Sequence, residues 1–181
     1  MPFEMMPGRF VLTDTDGRVA FDTNYRSLHQ LGYFSGSFVI PQRSCIGTEL
    51  DVAATYSIGS VSPFANMLMG SFYVTRIGTF PTGVFEVVPL GVWLPVGGTV
   101  DLTLGRGQTF LTSGVVQTGG ADGSDLVGVQ QLTFEIIGSS VVATERAKYV
   151  LTRTAGLQQT TFGGSASYQI DYHVFAMACD L

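Results

Sequence analysis

The chain has 181 residues, of which 45% are hydrophobic and 13% charged, about half the usual charged share of roughly 25%, and its formal net charge is −5. One lysine, eight arginines and no basic run leave nothing to track a phosphate backbone or an anionic bilayer, so nucleic-acid and membrane-surface partners are excluded. No apolar segment approaches the roughly 18 residues of a membrane span, and no basic region followed by an apolar run opens the chain, so neither insertion nor secretion is expected.

In chain order, "RFVLTD" and "RVAFDT" read as two strands joined at Asp16-Gly17, where glycine tolerates the positive φ of a hairpin turn. A polar cluster with Arg26 and His29 follows. "SIGSVSPFANMLMGSF" (residues 57–72) reads as an irregular stretch holding Phe64, Met67, Leu68, Met69 and Phe72, with room for one helical turn from Ser62-Pro63 to Gly70. Apolar residues in such a stretch either plug a sheet edge or meet a partner. "SFYVTRIG", "GVFEVVPL" and "TVDLTLG" read as strands. In "VPLGVWLPVGG", Trp93 sits among prolines, either half-buried in the core or standing as an exposed platform.

The Gly-rich "QTGGADGSDLVG" (residues 117–128) is expected to be an exposed, mobile loop. "VQQLTFEIIG" alternates Leu132, Phe134 and Ile136 with Gln131, Thr133 and Glu135, the period of a half-buried strand. "ATERAKY" could wind into a helix, but its β-rich flanks favour strand or loop, and "KYVLTRT" continues as strand. The last segment has the clearest alternation: Tyr168, Ile170, Tyr172, Val174 and Ala176 on one face, Gln169, Asp171 and His173 on the other. The sum is an all-β chain, an antiparallel, jelly-roll-like β-sandwich of roughly ten to twelve strands with little helix. A single domain spanning 1–181 is expected, with 1–32 as an N-terminal hairpin or arm able to dock on a neighbouring subunit.

Chemistry is hard to find. Nucleophilic catalysis needs a base beside the nucleophile, and neither "FSGSF" nor "GGSAS" has the spacing of a nucleophile elbow. His173 and Asp171, two apart on one strand, share a face without meeting squarely, so His173 reads as a surface or interface residue. The two cysteines, Cys45 and Cys179, and the two histidines are too dispersed for a zinc site. Free buried thiols and one long-range disulfide both stay open. The carboxylates around Asp14–Gly17 and Asp122–Asp125 resemble calcium loops but lack the remaining ligands, and ordinary turns account for them. No phosphate loop or dinucleotide fingerprint is present. No catalytic, metal or cofactor residue is assigned, and an enzyme is not expected.

The start of the chain, "MPGRFVLTDTDGRVAFDTNYRSLHQLG", resembles the start of small tail-region proteins of long-tailed bacteriophages and their prophages. The matching positions are Met6-Pro7, Gly17-Arg18, Phe21, Thr23, Arg26 and His29. The resemblance runs to Gly32, and residues 33–181 match in character: β-rich, Gly-rich and poor in lysine. It implies a structural role in the virion near the distal tail, as a baseplate, tail-tip or fibre-associated subunit assembled in the host cytoplasm, with no catalytic residues. Its expected partners are other virion proteins and further copies of itself, trimers being the tail-fibre habit. A capsid decoration or head-fibre role, and a receptor-binding tip that recognises host glycan, stay open beside it. Candidate assembly contacts are Arg26, His29, Phe64, Met67 and Met69, and the candidate glycan contact is Trp93. The low charge content fits a subunit walled in by neighbours.

Overall fold

The computed structural model describes residues 3–6, 9–13, 19–22, 28–46, 49–78, 84–111, 123–153, 161–163 and 167–179. Their elements are all strands: β1 (Phe3–Met6), β2 (Arg9–Thr13), β3 (Val19–Asp22), β4 (Leu28–Ile40), β5 (Ser44–Ile46), β6 (Glu49–Ser60), β7 (Met67–Ile77), β8 (Val84–Glu86), β9 (Trp93–Pro95), β10 (Thr99–Leu111), β11 (Gly123–Ile137), β12 (Ser140–Arg153), β13 (Thr161–Gly163) and β14 (Ser167–Cys179). Two larger antiparallel sheets are ordered β6-β12-β11-β10-β8 and β4-β14-β7-β9. β1-β2-β3 form a three-stranded sheet of their own, and β13 pairs with β5. The chain passes repeatedly from one large sheet to the other.

The inner faces of the two large sheets share one core, a sandwich-like arrangement. Ile40, Phe72, Val74, Ile170, Tyr172 and Val174 come from the four-stranded sheet, and Leu102, Leu132, Phe134, Val141 and Ala143 from the five-stranded one. Burial follows the alternation of the sequence. On β14 the even-numbered residues from Tyr168 to Ala178 are buried, as the side-chain period of two requires. Phe134 anchors the middle, 5.2 Å from Phe72 and 6.3 Å from Tyr172 between ring centroids. Phe38 of β4 stacks on Tyr56 of β6 at 4.5 Å, closing one flank between the sheets. Tilted and offset rings of this kind add roughly 0.5–1.5 kcal/mol per pair beyond their burial.

Three expectations need correction. No helical turn forms from Ser62 to Gly70: a single backbone turn, with Ala65 N–H donating to the Ser62 carbonyl at 3.0 Å, gives way to β7 at Met67. The rest of the 57–72 stretch is the end of β6 and the start of β7. Val61, Ala65 and Phe72 enter the core, while Phe64 and Met69 face outward. The 117–128 segment is not a loop throughout: residues 123–128 belong to β11 and pair with both β10 and β12. Backbone pairing on two sides overrides the low strand propensity of Gly and Asp there. Residues 28–32 of the expected arm belong to β4, because they pair with the end of β14. "ATERAKY" is strand, within β12, as its flanks favour. Residues 117–122 lie outside the described residues, as do the Asp16-Gly17 turn and Arg26.

Candidate functional site

The outward face of the four-stranded sheet carries the odd-numbered residues of its long strands. β4 contributes Tyr33, Ser35, Ser37 and Val39, β14 Gln169, Asp171, His173 and Phe175, β7 Met69, Ser71, Tyr73, Thr75 and Ile77, and β9 Trp93. An aromatic ladder crosses all four strands. Trp93 lies opposite Tyr73, their rings 5.6 Å apart, and its indole also reaches the His173 ring at 5.2 Å. His173 is nearly parallel to Tyr33 at 6.1 Å, and Tyr33 packs on Phe175 at 4.9 Å. The register explains the reach. His173 has only serines directly opposite it, Ser35 on β4 and Ser71 on β7, so the larger rings lean over them.

The ladder is held in place from below and across. The Tyr33 hydroxyl and His173 Nδ1 are hydrogen-bonded at 2.7 Å, which fixes both rings. Gly70, at φ +136°, lets β7 pass so close to β14 that a Cβ there would collide with the His173 carbonyl. The rings are nonetheless open to solvent: Trp93 is 51% exposed and Tyr33 49%. Asp171 is the one charged residue among these outward positions, and Gln169 Nε2 donates to its Oδ1 at 3.0 Å.

A second cluster is buried between the sheets. Glu145, fully buried on β12, accepts Arg43 Nε at 2.9 Å, Arg43 Nη2 at 2.5 Å, Gln130 Nε2 at 2.6 Å and the Tyr56 hydroxyl at 3.1 Å. Beyond it Tyr149 and Thr103 share a 2.5 Å hydroxyl contact. The hydrogen bonds to Glu145 raise the Arg43 pKa. Burial, reinforced by the Glu145 charge, pushes Tyr56 up to about 12, and burial pushes Tyr149 up to about 12. Burial, with Glu86 beside it, drives the Tyr168 hydroxyl well above the ordinary tyrosine range. Both Glu145 oxygens are occupied by donors of this chain, so the cluster satisfies buried polar groups and ties the β4–β5 connection to the five-stranded sheet.

The structure brings several of the sequence-chosen residues onto the aromatic face. Trp93 is there: β9 is a three-residue edge strand, the indole is 51% exposed on the outward face rather than part of the core, and its ring neighbours among the described residues are Tyr73 and His173. Met67 and Met69 lie on β7 opposite Met177 and Phe175. Phe64 is 78% exposed in the turn that leads into β7, where Asn66 N–H donates to the Met177 carbonyl. His29 does not join them. An extra residue in β4 near Leu31 shifts the parity, so His29 is opposite Ala178 rather than on the side of His173. Asp125, from the segment read as an ordinary turn with a likeness to a calcium loop, is a strand residue opposite Thr109 and Thr152. Among the described residues, no three His, Cys, Asp or Glu side chains gather as metal ligands do. Sequence reasoning misses Tyr33 and Tyr73, although both stand two residues from a serine in aromatic-rich runs, the one local signal they give. Compared with protein-family models, curated proteins and solved structures, the chain matches none.

Proposed function

We propose that this chain is a structural subunit of a tailed-bacteriophage virion, in the distal tail as a baseplate, tail-tip or fibre-associated component. It acts through protein–protein contacts rather than catalysis and is carried in the virion after assembly in the host cytoplasm. In this reading the fold is one jelly-roll-like β-sandwich, and the residues ahead of β4 serve as a docking arm. The phage setting is supported by the resemblance of the N-terminal stretch. The mode of action is supported by one observation: the outward face of the four-stranded sheet displays Tyr33, Val39, Met69, Ile77 and Trp93, each between 43% and 51% exposed, around a single charge. Interfaces are enriched in aromatic residues and methionine and depleted of charge in just this way. Such a patch is costly to leave in water.

Purified particles test the proposal. The chain should be found in mature virions and labelled at the distal tail. Labelling over the capsid would transfer it to a decoration or head-fibre role, and absence from particles would refute both.

A second reading, host-glycan recognition, is favoured by the ladder itself. The C–H face of a sugar ring packs on an indole or phenol face, while Ser35, Ser71, His173 and Asp171 offer hydrogen-bonding groups around it. Retention of the protein on host polysaccharide, lost on Trp93→Ala, would carry this reading.

A further inference from the structure

We infer that two copies of this chain join through the free edge of β4, antiparallel about a twofold axis at Gly36, so that their four-stranded sheets become one continuous sheet. The inference deepens the assembly reading, on which it rests, by naming a partner, a second copy.

Each large sheet has two edges, and they differ. β8 and β9 are only three residues long, and β9 ends in Pro95, which has no N–H to donate, so both are poor templates for a further strand. β6 is long but carries Glu49 and Asp51, which suit a solvated edge. β4 is the exception. From Gly32 to Ile40 it pairs without interruption with β14, carries no charged residue and no proline, and has no strand on its other side among the described residues. Among the described residues, none of the usual protections of an edge is present along that run.

The sequence of the run is symmetric. "FSGSF" (Phe34–Phe38) reads the same in both directions about Gly36. In a twofold antiparallel pair centred there, Ser35 faces the partner's Ser37, Phe34 faces the partner's Phe38, and Tyr33 faces the partner's Val39. A twofold interface must be self-complementary, and each of these is a favourable cross-strand pairing. The side chains also sort correctly. Ser35, Ser37, Tyr33 and Val39 are exposed on the outward face, while Phe34 and Phe38 turn toward the core. The joined sheets would extend the aromatic face across both subunits.

The test is a charge swap on the full chain, read by sedimentation or light scattering. The wild type should behave as a dimer of 19.4 kDa chains. Ser35→Glu/Ser37→Glu puts two like-charge pairs across the axis and should raise the dissociation constant by about tenfold or more. Ser35→Lys/Ser37→Lys should do the same, and an equimolar mixture of the two variants should recover the dimer. That recovery separates a lost interface from a lost fold, since misfolded chains would not be rescued by opposite charge. A wild type that stays monomeric or forms trimers, or charge variants that dimerise undiminished, would overturn the inference. The assembly reading fails separately, by absence of the protein from virions.

Discussion

The two outward faces of the molecule are built to opposite rules. On the five-stranded sheet, polar side chains pair across strands: Thr99 with Thr133 at 2.9 Å, Gln131 with Asp101 at 2.9 Å, Thr144 with Glu135 at 2.5 Å and Lys148 with Asp51 at 3.6 Å. Exposed apolar residues there, such as Val127, Ile137 and Val150, stand toward the strand ends. This is the pattern of an antiparallel sheet with one face in water. On the four-stranded sheet the middle of the face is aromatic, and its hydrogen bonds, such as Tyr33 to His173, orient rings instead of presenting charge. The same core supports both, so the difference lies in the faces themselves. In the assembly proposed above, one is finished as a surface and the other as a contact.

The largest disturbance would come from beneath both faces. Glu145→Ala leaves Gln130 and the Arg43 guanidinium without the carboxylate that both address, and breaking a buried ion pair typically costs about 3–5 kcal/mol. Chemical denaturation should show a loss of that order, with Glu145→Gln losing less because it still accepts from Tyr56. A loss under about 1 kcal/mol would mean that the cluster behaves as a surface pair.

Alkaline pH should act next. Tyr56 and Tyr149, both pushed up to about 12, remain neutral in the folded chain after unfolded tyrosines ionise near 10. Between those values the native state binds more protons than the unfolded one, so stability is intact below about pH 10 and falls as pH rises toward 12. A melting temperature flat from neutral pH to about 9 and falling above about 10 is expected. Phe replacement of Tyr56 should blunt the fall.

Much of the fold could be read directly where alternation is clean. β14 and β11 put Tyr168, Ile170 and Tyr172, and Leu132 and Phe134, inside as their period of two indicates. β4 could not be read that way. Its apolar residues occupy both parities, with Phe34, Phe38 and Ile40 inward and Tyr33 and Val39 outward, and glycine and serine fill the gaps. The aromatic face was legible only in pieces. Trp93, Met67 and Met69 could be named singly, but the ladder joins residues as far apart in sequence as Tyr33 and His173. Only strand register brings such pairs together, and register depends on the whole fold.

Trp93→Ala sharpens the contrast between the faces without breaking the core. The indole is half exposed, so its loss should cost about 1 kcal/mol or less of stability, mainly the pairing with Tyr73. Partner or glycan retention, measured on the same preparation, should fall by about tenfold or more, as for an aromatic anchor at an interface centre. Thr133→Ala on the opposite face should leave retention unchanged. Equal effects of the two substitutions would erase the distinction between the faces.

The smallest expected effect is on the polar face, at Lys148. Its amine is 3.6 Å from Asp51, with the two side chains 61% and 62% exposed, so water screens most of their attraction. Lys148→Ala should therefore change stability by no more than about 0.5 kcal/mol. Lys148 is also the only lysine in the chain, so a label read out at the lysine side chain marks the polar face. If the aromatic face is the contact, a bulky label at Lys148 leaves partner retention intact and stays accessible in the assembled particle. Protection of Lys148 on assembly, with Trp93 still open, would put the partner on the other side of the sandwich.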